Sequence, residues 1–433
     1  MLARPAPKRR PVSSADAPGV PARRAALRLL DAVLRRGLAL ESALDGAAQG
    51  LPPADRGLAH AIAAEVLRRL SDLDTLIDSA TARPLPHDAK ARFVLRIALA
   101  QAFGLGTPHH AAIATVLPLV DGGPRKLVHG VFGTLMRQNA ALPEIPALPP
   151  GLATRWRKSW GAPMVEAAAR AIAAPPPLDL RLRDADDTAS LAEALQAQSL
   201  MPGHLRLPAG ASVPDLPGFA EGRWWVQDLA ASLPAQLLGS GGGRALDLCA
   251  APGGKTLQLA AAGWDVTALD ISESRLARLS DNLARTALSA EIVVADALQW
   301  EPETPFDAIL LDAPCSATGI FRRHPDVLYR ARSAIIAETA ELQAKLLARA
   351  SGWLRPGGRI VYATCSLEPA EGESQVAAFL KAHPDFAIDP VQAGEAPPEI
   401  APDPAGWLRT LPTMFADKGA LDGFFMARFV RAN

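Results

Sequence analysis

The stretch Asp247-Leu-Cys-Ala-Ala-Pro-Gly-Gly-Lys-Thr256 limits what this chain can become more than any other. Ahead of it, Arg244-Ala-Leu-Asp-Leu248 has the apolar character of a short buried strand. Behind it, Leu257-Gln-Leu-Ala-Ala-Ala262 has the pattern of a helix. A strand that turns through Pro-Gly-Gly into a helix brings bare backbone N–H groups close to a ligand. A P-loop requires glycine five residues before the Gly-Lys-Thr, and that position holds Cys249. The dinucleotide fingerprint needs a glycine spacing that this loop lacks. A nucleotide-like ligand of another kind remains.

From residue 223 onward the pattern alternates. After Asp265-Val-Thr-Ala-Leu269 come Glu291-Ile-Val-Val-Ala295, Phe306-Asp-Ala-Ile-Leu-Leu311, Arg359-Ile-Val-Tyr-Ala-Thr364 and Phe424-Phe-Met-Ala-Arg-Phe-Val430, with helical segments such as Leu276–Ala287 and Ala334–Arg349 between them. Such a rhythm predicts an α/β fold with a mostly parallel, doubly wound sheet, whose ligands bind beyond the carboxyl ends of the strands. Three acids fall at such ends. Asp270 comes roughly twenty residues past the glycine loop, where a carboxylate can accept from ribose hydroxyls. Asp296 follows the third strand, where it could accept from an adenine amino group, and Asp312 ends the fourth. Any one of them is as readily a helix N-cap. Three in register with the loop point to an adenosine without phosphates, which is S-adenosylmethionine.

The fourth and fifth strands end in Asp312-Ala-Pro-Cys-Ser316 and Thr364-Cys-Ser366. A free cysteine is usually a small buried hydrophobe. Two of them on the same edge of one sheet can meet a single substrate. The reaction that needs such thiols is methylation at C5 of a pyrimidine, a carbon too poor a nucleophile to attack a sulfonium methyl group unaided. A thiolate that adds to C6 pushes electron density onto C5. The thiolate calls for an electropositive pocket, and Lys255, Arg322 and Arg323 are candidates to provide it. The spacing alone leaves open which cysteine attacks.

The 433 residues suit about three domains. Formal net charge is zero, so no overall attraction to nucleic acid follows. Residues 1–30 nevertheless hold Arg4, Lys8, Arg9, Arg10, Arg23, Arg24 and Arg28 against Asp16 alone, and residues 1–22 are expected as a disordered basic tail compatible with an RNA-binding arm. No apolar run of membrane-spanning length occurs, and no membrane association is expected. Three sparse cysteines, Cys249, Cys315 and Cys365, suit a reducing cytosol rather than a disulfide framework.

Residues 23–140 predict an all-helical domain, with Leu27, Leu30 and Leu34 on one face, then Leu58, Ile62 and Val66, then Phe93, Val94, Ile97 and Ala98. Thr107-Pro108 reads as an N-cap followed by the first helical residue, and Lys126–Leu135 as the last long helix. His109 and His110 sit at a helix start, where a surface role outweighs metal binding, and no metal site is expected. Residues 141–150 are a Pro-rich linker. Residues 151–222 read as a small α+β subdomain for RNA binding. There Trp156 and Trp160 are read as packing residues, and the alternating Leu and Arg of Leu178–Arg183 suit either RNA backbone contact or a solvated face.

Two resemblances follow. Asp55-Arg-Gly-Leu-Ala-His60, Val66-Leu-Arg-Arg-Leu70 and Lys126-Leu-Val-His-Gly130 resemble the NusB-type RNA-binding helical domain. Residues 225–433 resemble the Nol1/Nop2/Sun family of RNA cytosine-C5 methyltransferases through Asp247–Thr256, Asp312-Ala-Pro-Cys-Ser-Ala-Thr-Gly319, Tyr362-Ala-Thr-Cys-Ser366 and Asp422-Gly-Phe-Phe425. The whole arrangement is similar to the family's bacterial Sun (Fmu) branch, which acts on small-subunit (16S) ribosomal RNA. The strand region Leu178–Asp184 departs by carrying Asp where relatives tend to carry Asn.

The resemblance implies a Rossmann-like methyltransferase domain over residues 223–433, S-adenosylmethionine as cofactor and 16S rRNA as partner, with an unstacked, single-stranded cytidine as target. A cytoplasmic monomer is expected. It also implies cofactor or target-base contacts from Cys249, Ala250, Ala251, Pro252, Gly253, Gly254, Lys255, Asp270, Asp296 and Asp312. The cysteine of the Thr-Cys-Ser motif, Cys365, becomes the nucleophile, and Cys315 the helper in product release. DNA cytosine-C5 methyltransferases attack with the Pro-Cys cysteine instead. A non-catalytic RNA-binding or assembly factor is the competing reading, and the paired thiols weigh against it. A P-loop ATPase fails at Cys249.

Overall fold

The computed structural model describes residues 17–433, and the chain divides into two units, Met1–Ala147 and Leu148–Asn433. The first is helical: α1 (Val20–Leu34), α2 (Leu40–Ala47), α3 (Pro53–Arg68), α4 (Leu70–Ser79), α5 (Lys90–Leu99), α6 (His109–Val116) and α7 (Gly122–Arg137). The expected basic tail lies outside the described residues up to position 16. It does not reach 22, because α1 begins at Val20 with Pro21 in its first turn, where proline's missing N–H costs nothing. Alanine shifts the buried stripe of α1: Ala22, Ala26, Leu29, Leu30 and Val33 are buried, whereas Leu27 and Leu34 are half-buried. Pro108 itself is the N-cap of α6, one position later than expected. His109 and His110 are exposed. Arg92 and Arg96, buried on α5, are held by Asp74 of α4 at 3.1 Å and 2.8 Å.

The second unit begins with α8 (Pro150–Trp160) and α9 (Ala162–Ile172). A small antiparallel sheet follows, order β2-β1-β3, from β1 (Leu178–Leu182), β2 (His204–Leu207) and β3 (Trp224–Val226), with α10 (Thr188–Leu195) after β1. Leu180, Leu182, Leu191, Leu205, Leu207 and Trp224 form its core. Its arginines differ: Arg206 is buried, whereas Arg183 is exposed and keeps one backbone bond. Arg206 donates twice to Asp179 at 2.7 Å, and Arg183 donates to the Thr286 carbonyl at 3.0 Å. Asp184 accepts from the Asp186 N–H at 2.9 Å, a turn bond that asparagine would also make.

The rest alternates: α11 (Leu229–Leu238), β4 (Arg244–Leu248), α12 (Gly254–Ala261), β5 (Asp265–Asp270), α13 (Glu273–Thr286), β6 (Glu291–Val294), β7 (Phe306–Asp312), α14 (Val327–Arg330), α15 (Ser333–Gly352), β8 (Leu354–Thr364), α16 (Glu373–Ala382), β9 (Phe386–Ile388), β10 (Leu408–Arg409) and β11 (Phe425–Arg431). The sheet runs β10-β11-β8-β7-β4-β5-β6, with β9 also on β11. Strands β6, β5, β4, β7 and β8 are parallel, and β11 pairs antiparallel with β8. Side chains alternate between two apolar faces. Leu246, Leu248, Ile309, Leu311, Ile360 and Tyr362 meet Leu346 and Leu347 of α15 on one side. Ala245, Val266, Leu310 and Val361 meet Leu229 and Leu233 of α11 on the other.

Arg322 and Arg323 correct an expectation. Instead of charging the thiol pocket, they enter a buried ionic cluster. Arg322 donates to Asp422 at 2.8 Å and to Asp228 at 3.1 Å, and Arg323 donates to the same two acids at 3.2 Å and 2.8 Å. Burial, reinforced by the neighbouring Asp228, already pushes the Asp422 carboxyl up. Removing Arg322 would leave two buried acids sharing Arg323 alone, with one negative charge uncompensated. Arg322→Ala is therefore expected to destabilise the second unit by about 3–5 kcal/mol. All eight tryptophans lie beyond residue 148, so their fluorescence during guanidinium unfolding reports this unit, and an unshifted midpoint would contradict the cluster's role.

Candidate active site

The sheet order reverses beside β4, whose parallel neighbours are β5 on one side and β7 on the other. Loops leaving such a point diverge and open a crevice. Here a cavity of about 470 Å³ opens at the carboxyl ends of the strands. Of the residues expected at the site, it gathers Cys249, Ala251, Asp270, Asp296, Asp312, Cys315 and Cys365 on one wall system. Ala250, Pro252, Gly253, Gly254 and Lys255 do not line it. Ala250 packs against Trp225 and Leu279, and Lys255 reaches Asp312.

The loop after β4 is shaped by its own hydrogen bonds. Ala250 N–H donates to the Leu269 carbonyl at 3.0 Å, and Ala251 N–H to Asp270 at 3.1 Å. Gly253 must be glycine: its φ is +106°, and a Cβ there would lie 2.5 Å from Leu279 Cδ1. Asp270 also accepts from the Ser272 N–H at 2.9 Å, and Asp296 accepts from the Leu298 N–H at 2.9 Å. Both acids thus make the turn bonds of ordinary strand-end aspartates while facing the cavity.

S-adenosylmethionine fits this donor set. Strand-end carboxylates rim a cavity with an apolar floor from Leu269, Leu298, Leu342 and Leu346. Beneath the loop, the Asp247 Oδ1 atom is buried with no hydrogen-bond partner among the described residues.

Charge is concentrated behind this wall. Lys255 Nζ lies 2.7 Å from Asp312 Oδ2. Burial disfavours the ammonium, but Asp312, with Asp247 behind it, outweighs burial and raises the Lys255 pKa. Burial pushes the Asp247 carboxyl up to about 7, with nearby Asp312 and Asp270 adding to the rise. Burial likewise pushes the Cys249 thiol up, which suits a packing residue better than a reactive one.

The two remaining thiols meet. Cys315 Sγ and Cys365 Sγ are 3.4 Å apart. The hydrogen bond with Cys365, together with burial, drives the Cys315 pKa well above its ordinary value, so Cys315 keeps its proton. The loops that carry them are laced together. Gly319 N–H donates to the Cys365 carbonyl at 2.9 Å, and Leu367 N–H to Thr318 Oγ1 at 2.9 Å. A Cβ on Gly319 would lie 1.8 Å from the Gly423 carbonyl, so the Asp422-Gly-Phe-Phe turn requires glycine there.

Sequence reasoning missed Glu371. It is fully buried in a turn that reads as acidic surface, and it accepts from Ser316 Oγ and Ser366 Oγ, each at 2.5 Å. Its one signal is an acid shortly past Thr-Cys-Ser, ahead of a helix. The packing role of the tryptophans stands: Trp156 donates to Glu368 at 3.1 Å and Trp160 to the Leu367 carbonyl at 2.8 Å, both in the stretch after Cys365. Arg155 adds a 2.7 Å ion pair to Glu368.

A parallel sheet that places carboxylates and thiols around a nucleotide-sized crevice is a Rossmann-like methyltransferase domain. Residues 236–430 match the family described as 16S rRNA methyltransferase RsmB/F, and residues 20–134 match the NusB family. Ribosomal RNA small subunit methyltransferase B of Klebsiella pneumoniae subsp. pneumoniae is 35% identical, over 94% of this chain and 97% of its own. The protein of the same name from Xanthomonas campestris pv. campestris is 36% identical, over 96% and 98%. The crystal structure of PH0851 shares the fold, with a TM-score of 0.71 at 22% identity over 95% of this chain and 99% of that one. The chain belongs to the ribosomal RNA small subunit methyltransferase B family, with a NusB domain ahead of the methyltransferase domain.

Asp247 yields a pH dependence. Its folded pKa of about 7 exceeds the ordinary 3.8, so the folded state binds the proton more tightly. Stability from this group is therefore greatest at low pH and falls as pH rises through 7. Between pH 6 and 8 the ligand-free chain should lose about 1 kcal/mol through Asp247. Asp247→Asn should remove that slope in denaturant unfolding, and an unaltered slope would contradict the assignment.

Proposed function

We propose that the chain transfers the methyl group of S-adenosylmethionine to C5 of a cytidine in 16S rRNA, through a covalent bond between Cys365 and C6. The observation that carries this reading is the pair of thiols 3.4 Å apart, on neighbouring strand ends, at the wall of the cavity. One thiol can bond to the base while the other assists it, a division of labour that plain methyl transfer to nitrogen or oxygen does not require. Cys249 to Lys255, Asp270, Asp296 and Asp312 are the residues proposed to hold the cofactor and base. Bound there, S-adenosylmethionine supplies an electrophilic methyl group.

The chain's own groups do the rest. Cys365, as thiolate, forms a bond to C6, and the C5–C6 π pair shifts toward C5, which then takes the methyl group. Loss of the C5 proton, which ends in water, restores the double bond and expels Cys365 as thiolate. Cys315, which keeps its proton, can donate an S–H bond to that departing sulfur and stabilise it. Lys255, held cationic against Asp312, supplies the positive field that Arg322 and Arg323 do not. The target cytidine must be unstacked to reach C6, which suits a single-stranded segment of rRNA.

Among the described residues no helix is long and apolar enough to cross a membrane, and rRNA as substrate supports a cytoplasmic site of action. Bisulfite sequencing of 16S rRNA from a deletion strain should lose one methylcytidine, and an unchanged map would refute the reading. Cys365→Ala should abolish RNA adducts on denaturing gels and lower methyl transfer by at least about 10³-fold. Cys315→Ala should let the adduct accumulate. Adducts from Cys365→Ala and none from Cys315→Ala would reverse the two roles.

A further inference from the structure

The thiols sit on two different loops, and one buried carboxylate holds both loops. Glu371 Oε1 accepts from Ser316 N–H at 2.8 Å and Gln343 Nε2 at 3.2 Å, and its Oε2 accepts from Ser316 Oγ and Ser366 Oγ at 2.5 Å. Ser316 follows Cys315, and Ser366 follows Cys365. The carboxylate is itself fixed to β8, because its backbone carbonyl accepts from Tyr362 Oη at 2.8 Å and Thr364 Oγ1 at 3.1 Å. Gln343 also donates to the Pro314 carbonyl at 2.9 Å, which ties α15 to the residue before Cys315. A carboxylate only accepts hydrogen bonds, so it can bind both serine hydroxyls and a backbone N–H at once, as no neutral side chain of its size can.

We propose that Glu371 is a positioning residue: by clamping Ser316 to Ser366 it sets the separation of Cys315 and Cys365, and with it the release of the methylated base. The second half of this rests on the covalent mechanism proposed above; the clamp on the thiols does not. Glu371 is fully buried and does not line the cavity. It acts through the serines, and a displacement of about 1 Å between reacting groups can cost about 10²-fold in rate.

Two variants separate positioning from folding. Glu371→Ala removes every acceptor. Glu371→Gln keeps the volume and one acceptor, but turns an NH2 group toward two hydroxyls, one of which already accepts from the Glu368 N–H at 3.0 Å. The full-length chain is treated with a bifunctional thiol reagent that fluoresces only when it bridges neighbouring thiols, and the bridged pair is identified by peptide mass. In parallel it is given S-adenosylmethionine and a 16S rRNA transcript. Wild type should bridge Cys315 to Cys365. Glu371→Ala should lose the bridge, and Glu371→Gln should slow it at an unchanged melting temperature. In Glu371→Gln, kcat should fall about 10²-fold while KM for S-adenosylmethionine stays within about twofold, and adduct should build up on denaturing gels. A Glu371→Gln protein that bridges and turns over like wild type would overturn the proposal, as would a Glu371→Ala protein that bridges normally. If wild type bridges its thiols but leaves no 5-methylcytidine in the transcript, the methylation reading falls, and the bridging difference alone decides the role of Glu371.

Discussion

Parallel pairing of β7 with β8 is the constraint from which the site follows. Asp312 at the end of β7 stands opposite Ala363 of β8, so the loops after the two strands leave the sheet side by side and in the same direction. Cys315 and Cys365 each follow within a few residues, and their sulfurs end 3.4 Å apart. An antiparallel pair would send the two loops to opposite ends of the sheet. The same parallel pairing of β4 with β7 and β5 brings the loop after β4, Asp270 and Asp312 to that edge. Crossover helices cover both faces, so the inner strands β4, β5 and β7 are largely buried and the carboxylates and thiols of the cavity lie at strand ends.

Burial then differentiates groups that would otherwise behave alike. Of three cysteines, Cys249 is pushed toward the neutral thiol by its surroundings and Cys315 by its bond to Cys365. Of the acids, Asp247 is pushed up to about 7, whereas Asp312 is bound by Lys255. Lys255 thus stands behind the crevice and Arg275 lines it, and the arginines that follow the Cys315 motif brace the small sheet against the methyltransferase sheet through Asp228 and Asp422. Arg206 joins that brace by donating to the Lys418 and Ala420 carbonyls at 3.0 Å. The small α+β region is therefore part of the same unit as the methyltransferase sheet.

The large sheet was legible from the chain because its signal is local: apolar runs of strand length, each ending in Asp, Cys or a glycine turn. The glycines of the loop after β4, together with Cys315 and Cys365, stand at those punctuation points. What was not legible depends on partners distant in sequence. Glu371 reads as acidic surface until Ser316 and Gln343 converge on it from β7 and α15. Arg322 and Arg323 read as free cations beside a thiol until Asp228 and Asp422 are seen to neutralise them. In the helical unit, alanine carries much of the burial, so the stripe Ala22, Ala26, Leu29, Leu30 and Val33 was masked by larger leucines at 27 and 34. The short helices α2 and α4 have too few turns to show a period of their own.

In the proposed mechanism a thiol adds to C6 so that C5 can exchange its proton for a methyl group. Release of tritium from 16S rRNA labelled at cytidine C5 tests it most directly, using the purified chain and S-adenosylmethionine carrying a second label on its methyl group. One tritium should be released to water for each methyl group incorporated, with no net release when the cofactor is omitted. Methyl incorporation that leaves the C5 tritium in place would put the methyl group elsewhere and contradict it.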